Sequence, residues 1–167
     1  MVLFVSGILI VIMAKAPNYW IMKSEPDEFS IDDLKKMNVS IWDGIRNYQV
    51  RNMMRDVMKV GDRAFFYHSN SKEIGIVGQM EVVKSAYPDP TQFSTKSKYF
   101  DKGSMKDNPR WLSVDVQFVE KFPRLLTLAE IKLNPVFENL PLVKKGNRLS
   151  IMPITKDHYL QIKKAIK

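Results

Sequence analysis

Apolar positions along the chain fall into short runs separated by charged turns, which predicts many short elements. Tyr19 to Lys23 is an apolar run entering the turn Ser24-Glu25-Pro26-Asp27. Pro26 disfavours helix at Glu25, so this reads as a strand leading into a loop. Ser30-Ile31-Asp32-Asp33 reads as an N-cap with acid in the first turn of a helix ending near Met37. Val39 to Trp42 is a second short strand, closed by the turn pair Asp43-Gly44. From Asn47 to Lys59, Val50, Met53, Met54, Val57 and Met58 recur at helical spacing and are expected to face a core. Asn47, Arg51, Arg55 and Lys59 form a polar ridge on another face of that helix.

The second half follows the same style. Strands are expected at Arg63 to His68 and at Ile74 to Val83, with Gly75 and Gly78 marking a bulge or a close backbone approach. Lys84 to Pro109 is polar, rich in proline and without periodicity, hence a long loop of the kind that often carries function. Leu112 to Val119 alternates as a half-buried strand. Thr127 and Glu130 form a capping box for a short helix. Leu149 to Met152 is a last strand, and Thr155 to Ile166 a terminal helix with Tyr159, Ile162 and Ile166 on one face. Short strands interleaved with helices, without regular βαβ alternation, predict an α+β fold around a small mixed β-barrel flanked by helices.

Met1 to Ala14 is apolar except for Ser6 and Gly7. Such a run is shorter than the roughly 20 residues a membrane-crossing helix needs. No Lys or Arg precedes it, as a signal peptide would require. It reads as an N-terminal extension over residues 1–17, with Met13 as an alternative start and an export signal as the competing reading. Ile8 to Ile12 is β-branched-rich and suits a strand. Residues 18–167 form one domain, since no linker or repeat interrupts them.

Composition narrows the chemistry. The 167 residues hold 26 Lys and Arg against 18 Asp and Glu, a formal charge of +8, with two His and no Cys. Disulfides, thiolate metal sites and a Cys nucleophile are excluded, and two His alone cannot build a multi-histidine zinc site. No metal and no cofactor are expected. The positive charge suits a polyanion partner without requiring one. No nucleophile elbow, phosphate-binding glycine loop or paired-carboxylate spacing is present, so no catalytic set assembles.

Five segments carry candidate chemistry, each with a plainer reading beside it. Lys23-Ser24-Glu25-Pro26 is either a solvated turn or the polar mouth of a pocket. Trp42-Asp43-Gly44-Ile45-Arg46-Asn47-Tyr48-Gln49 places aromatics beside a turn opening a helix, so Trp42 or Tyr48 either stacks on a base or fills a core. Phe65-Phe66-Tyr67-His68-Ser69 ends a strand, and His68 is either structural or a donor to a ligand. Asn108-Pro109-Arg110-Trp111 closes the long loop. Lys144-Lys145-Gly146-Asn147-Arg148 is a basic turn suited to phosphate.

Taken in order, these segments resemble the EVE domain of the PUA-like superfamily, as found in bacterial stand-alone EVE proteins. The resemblance also rests on Tyr19-Trp20, on Tyr87-Pro88-Asp89-Pro90 and on Arg148-Leu149-Ser150 with Met152-Pro153. It spans about Asn18 to Lys167. It departs at the apolar extension and at Ser71-Lys72-Glu73. It implies a small barrel whose pocket reads a modified base, notably a modified cytosine in DNA, with RNA as an alternative. The implied ligand-binding residues are Lys23, Ser24, Trp42, Asn47, Tyr48, His68 and Ser69, then Trp111 and Ser150. Phosphate contacts are expected from Arg46, Arg51, Arg55, Lys59, Arg110, Lys144, Lys145 and Arg148. The expected protein is a non-enzymatic monomer, cytoplasmic in a bacterium or nuclear in a eukaryote, with no membrane association. Two other classes stay open: an enzyme on a nucleotide or modified base using His68 or Glu25, and an adaptor using the apolar N-terminal segment.

Overall fold

A computed structural model describes residues 16–167 and, upstream of them, the backbone of two strands. These are β1 (Val2–Val5) and β2 (Ile8–Val11), paired antiparallel. The strand expected from Ile8 is therefore present, while the expectations for a start at Met13 and for targeting lie outside the described residues. No described helix is long and apolar enough to cross a membrane.

The elements that follow are β3 (Tyr19–Ser24), α1 (Ile31–Met37), β4 (Val39–Trp42), α2 (Tyr48–Asp56), β5 (Arg63–His68) and β6 (Gly75–Pro88). Then come β7 (Leu112–Thr127), α3 (Leu128–Leu133), β8 (Ile151–Ile154) and α4 (Lys156–Ile166). Six strands form one mixed sheet in the order β4-β7-β6-β5-β3-β8, in which β3 and β5 run parallel and the other pairs antiparallel. The α+β expectation holds. The pairing has two edges, β4 and β8, so hydrogen bonds leave the sheet open where a closed barrel was expected.

Strand alternation explains why helices cover both faces. Trp20, Met22, Ala64, Phe66, Met80 and Val116 point to one side and pack with Ile31 and Leu34 of α1 and Val50 and Met54 of α2. Ile21, Phe65, Tyr67 and Ile76 point to the other and meet Ile131 of α3 and Tyr159, Ile162 and Ile166 of α4. The expected capping box of Thr127 with Glu130 forms, and the expected N-cap Ser30 closes a second one with Asp33.

Three boundaries differ from the pattern. β6 and β7 run to Pro88 and Thr127, well past Val83 and Val119: ladder hydrogen bonds hold the largely exposed end of β6, while β7 also buries Phe122 and Leu126 against the α3–α4 side of the core. Four register shifts between them coil the pair, and a Cβ on Gly78 would sit 2.6 Å from the Glu120 carbonyl. α2 stops at Asp56, so Val57 is a half-exposed C-cap and Lys59 lies beyond the helix. Below it, Gly61 takes a positive φ of 87° and delivers Asp62 into the interior. There the Asp62 carboxylate accepts from the Trp20 Nε1 at 2.9 Å, the Asn18 backbone at 2.8 Å and the Lys59 backbone at 3.1 Å.

Candidate functional site

The parallel pairing of β3 with β5 brings their C-terminal ends side by side, with Ser24 opposite His68. Antiparallel β8 enters at that same end, and the Lys23 backbone N–H donates to the Ser150 carbonyl at 2.8 Å. The end of β4 supplies Trp42. These strand ends enclose a cleft of about 550 Å³.

Trp42 lines the cleft with Phe29 and Tyr99 but shows only 5% of its surface, because its ring meets Phe66 edge-on at 5.2 Å and Phe29 at 6.2 Å. Lys23, Ser24, Glu25 and Glu28 line one wall, and Ser69, Arg148 and Ser150 continue the rim. Met37, Ser40, Ile41 and the turn Asp43-Gly44-Ile45 line another.

The third wall, Lys98-Tyr99, comes from the long polar loop, which is far from structureless. Asp89, fully buried, accepts from the Gly44 backbone at 3.0 Å and from Arg46 Nη1 at 2.8 Å. Arg46 also donates to the Tyr99 carbonyl through Nε at 3.0 Å and through Nη2. Buried Gln92 donates to the Asp89 and Trp111 carbonyls at 2.7 and 2.9 Å, and its oxygen accepts from the Trp111 backbone at 2.9 Å. The loop is thus fastened at both ends by internal polar bonds. Gly44 adopts φ +74°, and a Cβ there would lie 2.6 Å from the Tyr99 ring, so only glycine allows that wall to close.

The cleft holds both signs of charge. Glu28 and Lys98 pair at 2.5 Å between two walls. Burial pushes the Lys23 ammonium down from its ordinary value. Burial, then the Asp89 carboxylate, push Asp43 up from 3.8, against the pull of Arg46. A folded-state pKa above the unfolded one means the folded state binds the extra proton, so stability falls as pH rises through that window. Other charged groups in the cleft are Lys23, Glu25, Glu28, Lys98 and Arg148. Asp43→Asn is expected to raise the melting temperature at neutral pH, with the gain shrinking as pH drops through the raised pKa of Asp43. Melting curves of both proteins across pH measure this, and a pH-independent difference would contradict it.

Of the residues expected from sequence, Lys23, Ser24, Trp42, Ser69, Arg148 and Ser150 line the cleft. The others do not. Asn47 caps α2, accepting from the Val50 N–H at 3.1 Å. Tyr48 is 53% exposed and stacks on Trp111 at 4.8 Å, and the Arg51 guanidinium lies over its ring at 4.7 Å. Trp111 is buried and donates to Asp101 at 2.8 Å. His68 Nε2 accepts from the Ile31 N–H at 3.2 Å, and burial lowers its pKa. That ring is a neutral acceptor at the start of α1, with this lone pair already engaged. Glu25 is exposed and accepts from Asn70 at 3.1 Å.

The basic residues also divide. Arg46 is an internal clamp. Arg55 pairs with Asp56 at 2.6 Å, Arg110 with Asp101 at 3.6 Å, Arg51 donates to the Arg110 carbonyl at 3.1 Å, and Lys59 to the Ala16 carbonyl at 3.3 Å. Lys144 and Lys145 are exposed, on the segment leading to Arg148. Sequence reasoning missed Asp43, Tyr99 and Lys98 as lining residues. Asp43 lay inside a quoted motif, whereas nothing in the periodicity of the loop marks Tyr99. Among the described residues no cluster of His, Asp or Glu is arranged to hold a metal ion.

A mixed sheet clad on both faces, with a partly aromatic polar cleft at one end of its strands, defines a small α+β domain. A model of the EVE domain matches residues 18–165, and the chain belongs to the EVE domain family. Human thymocyte nuclear protein 1 is 45% identical over 161 residues, covering 85% of this chain and 71% of that protein. A crystal structure of a Pseudomonas syringae protein superposes with a TM-score of 0.87 at 46% identity, covering 89% of this chain and 99% of that one. A crystal structure of human THYN1 protein in complex with 5-methylcytosine-containing DNA matches with a TM-score of 0.84 at 43% identity, covering 90% of this chain and 98% of that one.

Proposed function

We propose that this chain binds DNA carrying a modified cytosine and receives the extruded base in the Trp42 cleft, without chemical turnover. The observation that carries the reading is the likeness to human THYN1 protein, which was crystallised with 5-methylcytosine-containing DNA. The cleft suits the task. Its volume of about 550 Å³ falls in the usual range for small-molecule sites, about 300–1,000 Å³. Extruding a base costs a few kcal/mol, and aromatic contact returns about 1–3 kcal/mol. Lys23 and the hydroxyls of Ser69 and Ser150 offer donors to the carbonyl oxygen at position 2 and the ring nitrogen at position 3 of the base. Met37, Ile41 and Ile45 offer apolar surface to a 5-methyl group.

Flanking phosphates would meet Lys98 and Arg148 at the rim, then Lys144 and Lys145. Arg51, Arg55, Lys59 and Arg110 are phosphate contacts only for DNA reaching beyond the cleft. One chain supplies every wall, so a monomer suffices, and RNA carrying the same base is the competing partner. A DNA-holding compartment follows, the nucleus in a eukaryote or the cytoplasm in a bacterium.

The test is a titration of labelled duplexes containing cytosine, 5-methylcytosine or 5-hydroxymethylcytosine at several salt concentrations. A modified base should bind more tightly. Three phosphate contacts would give a log–log salt slope of about −2.7, and Arg148→Ala should lower that slope by about 0.9 while weakening all duplexes alike. Equal affinity for every duplex removes the modified-base reading. No binding at low salt removes nucleic acid altogether.

A further inference from the structure

We infer that Asp43 is the residue that selects cytosine over thymine, its carboxylate accepting a hydrogen bond from the exocyclic N4 amino group of the base in the cleft. The inference rests on the cytosine reading above and names the group that would enforce it. Asp43 follows Trp42 directly and lines the same cleft, half-buried. Among the described residues, no donor from another residue bonds its side chain. Arg46 acts on it through charge alone, because its guanidinium donors are committed to the Ile45 and Tyr99 carbonyls, to Asp89 and to Thr91. The turn is fixed from behind by the Gly44 N–H to Asp89, so the carboxylate is held in place without being neutralised. The neighbouring Asp89 disfavours its charge, and a destabilised charge lining a cleft is the usual mark of a functional group.

The chemistry of the bases supplies that use. An ionised carboxylate only accepts hydrogen bonds, and the amino group at position 4 of cytosine donates. Thymine presents an oxygen acceptor at the same position and would face the carboxylate with like polarity. Asp43 sees the amine and not position 5, so it should separate 5-methylcytosine from thymine, which share the methyl group, while leaving the methyl preference to the apolar wall.

The experiment compares wild type and Asp43→Asn on two duplexes, identical except for a central 5-methylcytosine or thymine opposite guanine, with the matching cytosine duplex as the control for methyl preference. A mismatched base is easier to extrude, so any flipping advantage favours thymine and works against the expected result. Wild type should prefer 5-methylcytosine by about tenfold or more, the scale of one charged hydrogen bond. Asp43→Asn, whose amide can also donate, should reduce that ratio to near one while keeping the preference for 5-methylcytosine over cytosine. A variant that binds with the wild-type ratio overturns the role of Asp43 and leaves the cleft reading intact. A variant that loses the methyl preference together with the thymine discrimination also overturns it, since Asp43 would then only shape the cleft. Wild type that binds neither duplex removes the functional reading itself. Melting curves of the variant exclude unfolding as the cause.

Discussion

Arg46→Ala is expected to destabilise the fold by about 3–5 kcal/mol, because it strands a wholly buried carboxylate. Asp89 shows no exposed surface and would keep only the Gly44 N–H and the Thr91 groups as partners. The same change frees the Tyr99 carbonyl, so the third wall of the cleft loosens together with the core. Denaturant midpoints of wild type, Arg46→Ala, Asp89→Asn and the double variant measure it. Removing both members should cost clearly less than the two single losses added together. A midpoint unchanged in Arg46→Ala, with weaker DNA binding alone, would return Arg46 to the phosphate contacts where the sequence motif put it.

The second large effect falls on Trp42. Its ring is nine-tenths hidden and touches Phe29 and Phe66, so Trp42→Ala should cost about 3–5 kcal/mol and lower the melting temperature by roughly ten degrees. This changes how the residue can be used as a probe. An exposed stacking platform would lose base discrimination on truncation and keep its stability. Here the aromatic is both core and lining, so loss of binding in Trp42→Ala reports mostly on folding. Trp42→Phe, which keeps an aromatic against Phe66, is the informative variant. A melting temperature within one degree of wild type in Trp42→Ala would contradict the burial described above.

These two residues also show what the sequence could reveal. Apolar spacing and capping signals located every strand and α-helix of residues 18–167, because each buries one face, but not the short 3-10 turns at Pro90, Pro135 and Pro141. Apolar spacing failed at the far end of β6, where ladder hydrogen bonds hold largely exposed residues, and at that of β7, where Phe122 and Leu126 are buried but spaced without strict alternation. It failed at the end of α2 as well, where Val57 continues the apolar pattern but caps the helix in solvent. The long loop looked unstructured because its order comes from Asp89, Arg46 and Gln92, three polar residues that pattern reading places outside. The motif residues split for a related reason. Lys23, Ser24, Ser69 and Ser150 sit at strand ends that the parallel β3–β5 pairing gathers together. Asn47, His68 and Trp111 are polar or aromatic because they cap a helix, accept a helix N–H and anchor the loop. A motif records both kinds of demand, and only the geometry separates them.

A crystal structure of this chain with a duplex containing one 5-methylcytosine tests base capture in the cleft directly. That base should be extruded into the cleft beside Trp42, with its amino group at Asp43 and the adjoining phosphates at Lys98 and Arg148. A duplex bound with every base still stacked, or lying across the Tyr48–Arg51 face with the cleft empty, would contradict it.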